Sequence, residues 1–237
     1  RLRQPRWEKI CRLRWEKICR LRWEKKGTSV LSRTGRPFVQ AVFGPIARLF
    51  VKMGVSADAV TITGTIVGVV LALTLLPSDH LVVGSLSLGG LALFDSLDGQ
   101  IARLTNTSSR WGAFLDSTLD RITDAAIFCG LLSWAYLHGQ SGVLRTFLMI
   151  GLLTAMMTGS VVPYARARAE GLGMTASVGI AERADRLVII LFSALFVGLG
   201  LPQWVLLISA WYLAVAGIVT VIQRMLVVRK QACETGE

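Results

Sequence analysis

Four aspartates stand at fixed spacing where two apolar segments meet, each segment being long enough to cross a bilayer. Asp95 and Asp98 are three residues apart in the first segment, and Asp116 and Asp120 are four residues apart in the second. At these spacings the two members of each pair share one helix face. Two neighbouring helices could therefore bring four carboxylates to one point.

Carboxylates crowded in this way need cations. In a low-dielectric site they would otherwise repel one another and take up protons. Clustered aspartates without cysteine or histidine favour Mg²⁺ or Mn²⁺ over zinc. Two such ions bridged by carboxylates suit a displacement at phosphorus. The sequence therefore predicts a site for two Mg²⁺ (or Mn²⁺) ions.

Small and basic residues follow the first acidic pair. Gly99 and Ala102 remove side-chain bulk from the helix, which would let a nucleotide or phosphate lie against the backbone. Arg103 could pair with a pyrophosphate. This segment is therefore a candidate binding surface for a nucleotide.

The complete spacing, DxxDGxxARx₈GxxxDxxxD, resembles the signature of the CDP-alcohol phosphotransferase family and is matched without a gap. The resemblance implies an integral membrane enzyme that moves a phosphatidyl group from a CDP-linked lipid to an alcohol and releases CMP. It implies that Asp95, Asp98 and Asp116 bind metal. Asp120 would bind metal and also take the proton of the attacking hydroxyl, since an alcohol is a poor nucleophile without a base or a metal.

The resemblance also places residues beside the CDP-lipid. Asp58 and Thr61, in the N-terminal capping region of the first apolar segment, would lie next to the cytidine. Ser109, from the loop before Gly112, would join them. Together with Gly99, Ala102 and Arg103 they make up the expected CDP-diacylglycerol site.

Basic residues later in the chain indicate the acceptor. The ARAE run, the ERxxR run and the Gln-Arg pair near the C-terminus resemble the members of the family that accept phosphorylated inositol. By this resemblance the residues that bind the acceptor phosphate are Arg166, Arg168, Arg186 and Arg224. Several guanidinium groups suit a doubly charged phosphate better than a neutral alcohol. The predicted acceptor is inositol 1-phosphate, giving phosphatidylinositol phosphate and CMP, and glycerol 3-phosphate is the alternative.

Two other charged positions have structural interpretations. Arg183, like Arg229 and Lys230, is interpreted as an ordinary anchor at the cytoplasmic membrane surface. Asp124 continues the row of Asp116 and Asp120 and is predicted to be a buried partner for an arginine, with Arg121 alongside.

The composition predicts an all-α integral membrane bundle. Hydrophobic residues make up 53% of the chain, and apolar runs near twenty residues are typical of multi-span proteins. Six transmembrane helices are expected, preceded by an amphipathic interfacial helix over residues 34–53. Their approximate bounds are 57–77, 80–104, 112–138, 142–170, 180–200 and 203–228.

The charge distribution gives an orientation and argues against nucleic-acid binding. Of the net charge of +11, residues 1–26 contribute +8, from eleven Lys or Arg and three Glu. Most other cations lie on the side of the acidic cluster, so the positive-inside rule places the active site at the cytoplasmic face of the plasma membrane. The resemblance further implies a homodimer surrounded by membrane lipids.

The predicted domains are a basic repeat segment over residues 1–31, the catalytic membrane domain over 32–230 and a C-terminal tail over 231–237. The repeat, in which Arg-Leu-Arg-Trp-Glu-Lys recurs every eight residues, is interpreted as an added, non-native segment. The alternative is a natural basic helix on anionic lipid headgroups.

Two functions of other classes remain open from the residues alone. One is a transporter that uses intramembrane acids to carry protons or cations, although such sites tend to lie near the midplane between repeated halves. The other is a membrane scaffold, which would not need four acids at this spacing. Metal-dependent release of CMP from CDP-diacylglycerol would separate the enzyme from both.

Overall fold

The described part of the chain is built from α-helices alone. The computed structural model describes residues 56–104, 109–180 and 183–235, all within the unit Pro37–Glu237. The helices are α1 Ala57–Leu75, α2 Leu81–Leu104, α3 Arg110–Leu137, α4 Val143–Gly171, α5 Arg183–Gly198 and α6 Trp204–Thr235. The all-α prediction is confirmed, and the predicted basic repeat and interfacial helix lie outside the described residues.

Serine side chains define where two of these helices begin. Ser56 Oγ accepts a hydrogen bond from the Ala59 backbone N–H at 3.2 Å, and Ser109 Oγ accepts one from the Gly112 N–H at 2.9 Å. Such caps satisfy backbone donors that have no partner within the helix. Both caps lie at the end of the bundle that carries the acidic motif, so they fix the helix starts nearest to it.

The helices pack as a closed ring. Each makes its main contacts with two others, in the order α1, α2, α5, α6, α4, α3 and back to α1. Fully buried leucines and isoleucine from several helices fill the interior, among them Leu76, Leu131, Leu152, Ile190 and Leu213. The ring places α3, which carries Asp116 and Asp120, between α1 and α4.

A glycine allows the close approach of α1 and α3. A methyl group at Gly130 would collide with the backbone carbonyl of Ala72, and it would lie 3.0 Å from Leu76. Small residues at helix interfaces let backbones pack closely, which is the usual basis of helix association in membranes.

Large apolar side chains cover the outside of the bundle. Ile66, Phe192 and Ile208 are each more than half exposed, and a soluble protein rarely leaves so much apolar surface uncovered. Among the described residues, three helices are long and apolar enough to span a membrane: Asp58–Leu75, Val143–Gly171 and Trp204–Cys233. The described apolar part of α2, Leu81–Leu93, is shorter, α3 carries several charges, and the described part of α5 has 16 residues. The chain is a membrane protein, and the count of six spans stays a prediction.

Three connections meet at the end of the bundle away from the acids. His138 Nε2 lies 2.9 Å from the Pro77 carbonyl oxygen, and the Gln140 N–H donates to Gln203 Oε1 at 2.7 Å. Trp134 Nε1 donates to Asp79 Oδ1 at 2.6 Å. These bonds tie the α1–α2, α3–α4 and α5–α6 connections together, which agrees with their expected placement on one side.

Candidate active site

The carboxylates of α3 form a row along one helix face. Asp116, Asp120 and Asp124 follow one another at intervals of four residues; Asp116 is half-buried, whereas Asp120 and Asp124 are 9% and 8% exposed. The shared face predicted for Asp116 and Asp120 is therefore observed. On α2, the side chains of Asp95, Asp98, Gly99, Ala102 and Arg103 lie outside the described residues. The convergence of all four motif acids stays a prediction.

Two arginines of α5 neutralise the buried end of this row. Arg183 Nη2 lies 2.8 Å from Asp120 Oδ1, and Arg183 Nε lies 3.3 Å from Asp124 Oδ1. Arg186 Nη2 donates to Asp124 Oδ2 at 2.8 Å. Buried carboxylates need such partners because removing a charge from water costs several kcal/mol. The prediction that Asp124 pairs with an arginine is confirmed.

The interpretation of Arg183 as a surface anchor is corrected by these contacts. Its guanidinium is about two-thirds buried and bridges two carboxylates. No local pattern indicates this role, because Asp124 and Arg183 are 59 residues apart in the chain. The general signal was present, however, since arginines near intramembrane acids usually face the bundle interior and pair with them.

Arg186 is the most deeply buried of the arginines predicted to bind the acceptor phosphate. It is 6% exposed, and its Nη1 atom is buried without a hydrogen-bond partner among the described residues. Beside it, a small open cleft with room for about one water molecule is lined by residues of α3 and α4, including Arg121, Asp124, Gly159 and Ser160. A buried guanidinium nitrogen without a partner is costly unless a ligand or water supplies one. A ligand or water molecule that enters the cleft would therefore meet an unsatisfied hydrogen-bond donor.

The other three predicted phosphate ligands have different surroundings. Arg224 is buried; it donates from Nε to the Val178 carbonyl at 2.9 Å and from Nη1 to the Val162 carbonyl. Arg166 and Arg168 are exposed at the end of α4, and Arg166 Nε forms an ion pair with Glu170 at 2.8 Å. In this structure Arg224 thus joins α6 to α4 and to the α4–α5 connection.

The connection between α4 and α5 forms further hydrogen bonds with α6. The Thr175 N–H donates to Gln231 Oε1 at 2.9 Å, and Gln231 Nε2 donates back to the Thr175 carbonyl at 2.6 Å. The Ile180 N–H donates to Thr220 Oγ1 at 3.2 Å. Helix α6 thus continues through the first residues of the segment predicted as a C-terminal tail, and it holds the connection that leads into Arg183 and Arg186.

The residues expected beside the cytidine come together at the starts of α1 and α3. A methyl group built on Gly112 would lie 3.3 Å from Ser109 Oγ and 3.6 Å from Asp58 Oδ1. Thr61, one turn after Asp58, is 7% exposed. The motif glycine therefore keeps open the space between Asp58 and Ser109, as a ligand pocket there would require.

The described acidic residues suit a hard divalent cation by their chemistry. Asp116 and Asp120 offer only carboxylate oxygens, which Mg²⁺ and Mn²⁺ prefer. Within residues 56–104, 109–180 and 183–235, no group of three His, Cys, Asp or Glu side chains that could hold a metal ion is found among those described. The full ligand set would therefore need Asp95 and Asp98 from α2.

The fold and the site define a class: an all-helical membrane protein with a row of acids and a buried arginine cleft at one end of the bundle. The chain belongs to the CDP-alcohol phosphatidyltransferase family, whose sequence profile matches residues 55–223. The resemblance drawn from the motif is confirmed. Membership of a family of transferases decides against the transporter and the scaffold.

Individual relatives are phosphatidylinositol phosphate synthases of actinobacteria. The protein of Mycobacteroides abscessus is 44% identical over 188 residues, which cover 79% of this chain and 84% of that protein. The protein of Streptomyces avermitilis is 39% identical over 214 residues, covering 88% and 86%.

Solved structures of the Mycobacterium tuberculosis phosphatidylinositol phosphate synthase have the same fold. The structure with CDP-DAG bound is 40% identical with a TM-score of 0.74, covering 79% of this chain and 94% of that one. The structure in complex with manganese and citrate has a TM-score of 0.73 and covers 78% and 87%.

Proposed function

We propose that this chain transfers a phosphatidyl group from CDP-diacylglycerol to inositol 1-phosphate, giving phosphatidylinositol phosphate and CMP. The observation that carries the choice of acceptor is the Nη1 atom of Arg186, which is buried beside a cleft and has no partner within residues 56–104, 109–180 and 183–235. A phosphate oxygen is the partner that a guanidinium nitrogen binds most strongly. The names of the relatives support inositol phosphate as the source of that phosphate.

Asp120 is proposed as the general base. In the reaction, a hydroxyl oxygen of the acceptor forms a new bond to the β-phosphorus of CDP-diacylglycerol, while the bond from that phosphorus to the oxygen of CMP breaks. The proton of the hydroxyl passes to the Asp120 carboxylate. Arg183, at 2.8 Å from Asp120 Oδ1, fixes the direction of this carboxylate, as a base in such a reaction requires.

Asp95, Asp98, Asp116 and Asp120 are proposed to hold two Mg²⁺ or Mn²⁺ ions. When bound, these ions would neutralise the pyrophosphate and the departing CMP. The manganese in a structure of the Mycobacterium tuberculosis relative supports this proposal. So does the carboxylate-only chemistry of the four residues.

The CDP-lipid is proposed to bind between the starts of α1 and α3 and the motif end of α2. Asp58, Thr61 and Ser109 would contact the cytidine, and Gly99, Ala102 and Arg103 would lie along the pyrophosphate. The proximity of Asp58 and Ser109 around Gly112 supports the first part of this site. Arg166, Arg168 and Arg224 would complete the acceptor site around Arg186.

The proposed setting is the plasma membrane, with six spans and the active site facing the cytoplasm. Arginines cluster at the acidic end of the described bundle, as the positive-inside rule expects of a cytoplasmic face. The catalytic membrane domain is proposed to cover residues 32–230, and the enzyme is proposed to work as a homodimer.

An acceptor assay tests the proposal. The purified protein is mixed with CDP-diacylglycerol in detergent micelles, and CMP release is measured with inositol 1-phosphate, glycerol 3-phosphate or inositol. We expect turnover with inositol 1-phosphate, little with inositol, loss of activity with EDTA and recovery with Mg²⁺ or Mn²⁺. Turnover with glycerol 3-phosphate alone would contradict the inositol assignment, and activity that survives complete chelation would contradict the metal site.

A further inference from the structure

Arg186 is held in place by two residues that lie outside the family motif. Asp124, on α3, accepts its Nη2 hydrogen bond at 2.8 Å. Gly159, on α4, lies against the other half of the guanidinium: a methyl group there would be 2.5 Å from Nη1 and 3.1 Å from Cζ. One residue therefore fixes the guanidinium by a charged hydrogen bond, and the other leaves the space that it occupies.

The two terminal nitrogens of the Arg186 guanidinium, Nη1 and Nη2, have different surroundings. Nη2 binds Asp124, whereas Nη1 is buried beside the cleft with no hydrogen-bond partner in the described part of the chain. A free arginine side chain would sample many rotamers, and ordering it costs conformational entropy. A guanidinium that is ordered before the ligand arrives does not add this cost to binding.

We infer that Asp124 and Gly159 are positioning residues that present Arg186 Nη1 to the phosphate of the acceptor. Both act through Arg186 and set the preference for a phosphorylated over an unphosphorylated alcohol. The inference rests on the proposed function and adds to it the residues that shape acceptor recognition. Arg121 and Ser160 line the same cleft, so a phosphate there would meet a second cation and a hydroxyl.

Gly159→Ala is the variant that separates positioning from stability. The atoms that its methyl group would meet belong to the end of a flexible arginine side chain, so the guanidinium can move aside while the helices stay in place. The matched control is Gly89→Ala, a helical glycine of α2 for which no described atom lies within 4 Å of an added methyl group. Asp124→Asn removes the charge that holds Nη2 and keeps the shape of the side chain.

The experiment is a double-mutant cycle between Gly159→Ala and Arg186→Gln, followed by steady-state kinetics and thermal unfolding. Gly159→Ala and Asp124→Asn should each raise the KM for the acceptor about ten-fold, because about 1.4 kcal/mol of binding is lost. The KM for CDP-diacylglycerol and the melting temperature of Gly159→Ala should match those of Gly89→Ala. In the Arg186→Gln background, Gly159→Ala should change the acceptor KM by less than about two-fold, since coupled residues are not additive.

Full additivity of Gly159→Ala and Arg186→Gln would overturn the inference, as would an unchanged acceptor KM in both single variants. The cycle is run with inositol 1-phosphate and with glycerol 3-phosphate, which separates the two proposals. If only glycerol 3-phosphate is used, the proposed acceptor is wrong, and the cycle with glycerol 3-phosphate still decides the roles of Asp124 and Gly159. If only unphosphorylated inositol is used, both proposals are wrong.

Discussion

Arg183 Nη2 lies 2.8 Å from Asp120 Oδ1, so an arginine of α5 holds the last aspartate of the α3 motif. Helices α3 and α5 are not among the main packed pairs of the ring, and the long arginine side chain covers the distance between them. The same guanidinium reaches Asp124 through Nε. Asp120 and Asp124 of α3 therefore form one electrostatic network with Arg183 and Arg186 of α5.

Replacing Arg183 should slow the chemical step. In Arg183→Gln, Asp120 and Asp124 lose their shared cation, and the direction of the Asp120 carboxylate is no longer fixed. We expect kcat to fall by about ten-fold or more, because misplacing a catalytic group is costly. Arg183→Lys should recover only part of the rate, since an ammonium group cannot present the planar fork that bridges two carboxylates.

Saturating kinetics of CMP release measure this effect. Arg229→Gln is the control, because Arg229 is an exposed arginine near the end of α6. An equal loss of rate in both variants would mean that Arg183 acts only through the surface charge of the protein.

Asp120→Asn should remove turnover and spare much of the binding of CDP-diacylglycerol. The amide keeps the shape of the side chain but cannot accept the proton of the attacking hydroxyl, and general-base catalysis is worth about 10²- to 10⁴-fold. CMP release and the thermal shift on adding CDP-diacylglycerol are measured on the same preparation. A fully active Asp120→Asn protein would exclude this residue as the base.

The helices and the motif could be predicted because their signals are local. Apolar run length located the described helices to within three residues at every boundary except the end of α6, which lies seven residues beyond the predicted position 228, and a spacing of four placed Asp116 and Asp120 on one face. The contacts of Arg183 and Gly159 could not be predicted in this way. They depend on how α3, α4 and α5 pack together, and one sequence contains no direct measure of that packing.

The structure adds contacts to Arg224 that the sequence did not indicate. The family resemblance of the late Gln-Arg pair suggested a phosphate ligand, and the described bonds of Arg224 go to the backbone carbonyls of Val162 and Val178. Those acceptors are backbone carbonyls, which every residue has, so residue types alone do not show which of them Arg224 binds. The phosphate-binding role of Arg224 stays a prediction.

Gly130→Ala should destabilise the bundle without a specific effect on substrate affinity. The added methyl group would meet the backbone carbonyl of Ala72, which cannot move without shifting α1 against α3. Overpacking of this kind typically costs about 1–3 kcal/mol. Thermal unfolding in detergent measures the loss, and Gly89→Ala, which adds its methyl group in open space, should unfold near the wild-type temperature.

Gln231→Ala should loosen one end of the α4–α5 connection. The Thr175 amide would lose its acceptor, Gln231 Oε1, while the Ile180 amide keeps Thr220 Oγ1. Hydrogen exchange followed by mass spectrometry should show faster exchange around Thr175 and little change around Ile180, because local opening depends on the local bonds. Uniformly faster exchange across the connection would show that its hydrogen bonds to Gln231 and Thr220 open together.

The length of α5 has a consequence for how a water-soluble acceptor reaches a lipid. Its described residues, Arg183–Gly198, extend about 24 Å, whereas the hydrocarbon layer is about 30 Å thick. A membrane that meets a short helix thins beside it or admits polar groups more deeply. Beside α5 the membrane–water interface would then lie closer to Arg186. A sugar phosphate could reach the phosphate next to the diacylglycerol of its co-substrate without crossing the hydrocarbon layer.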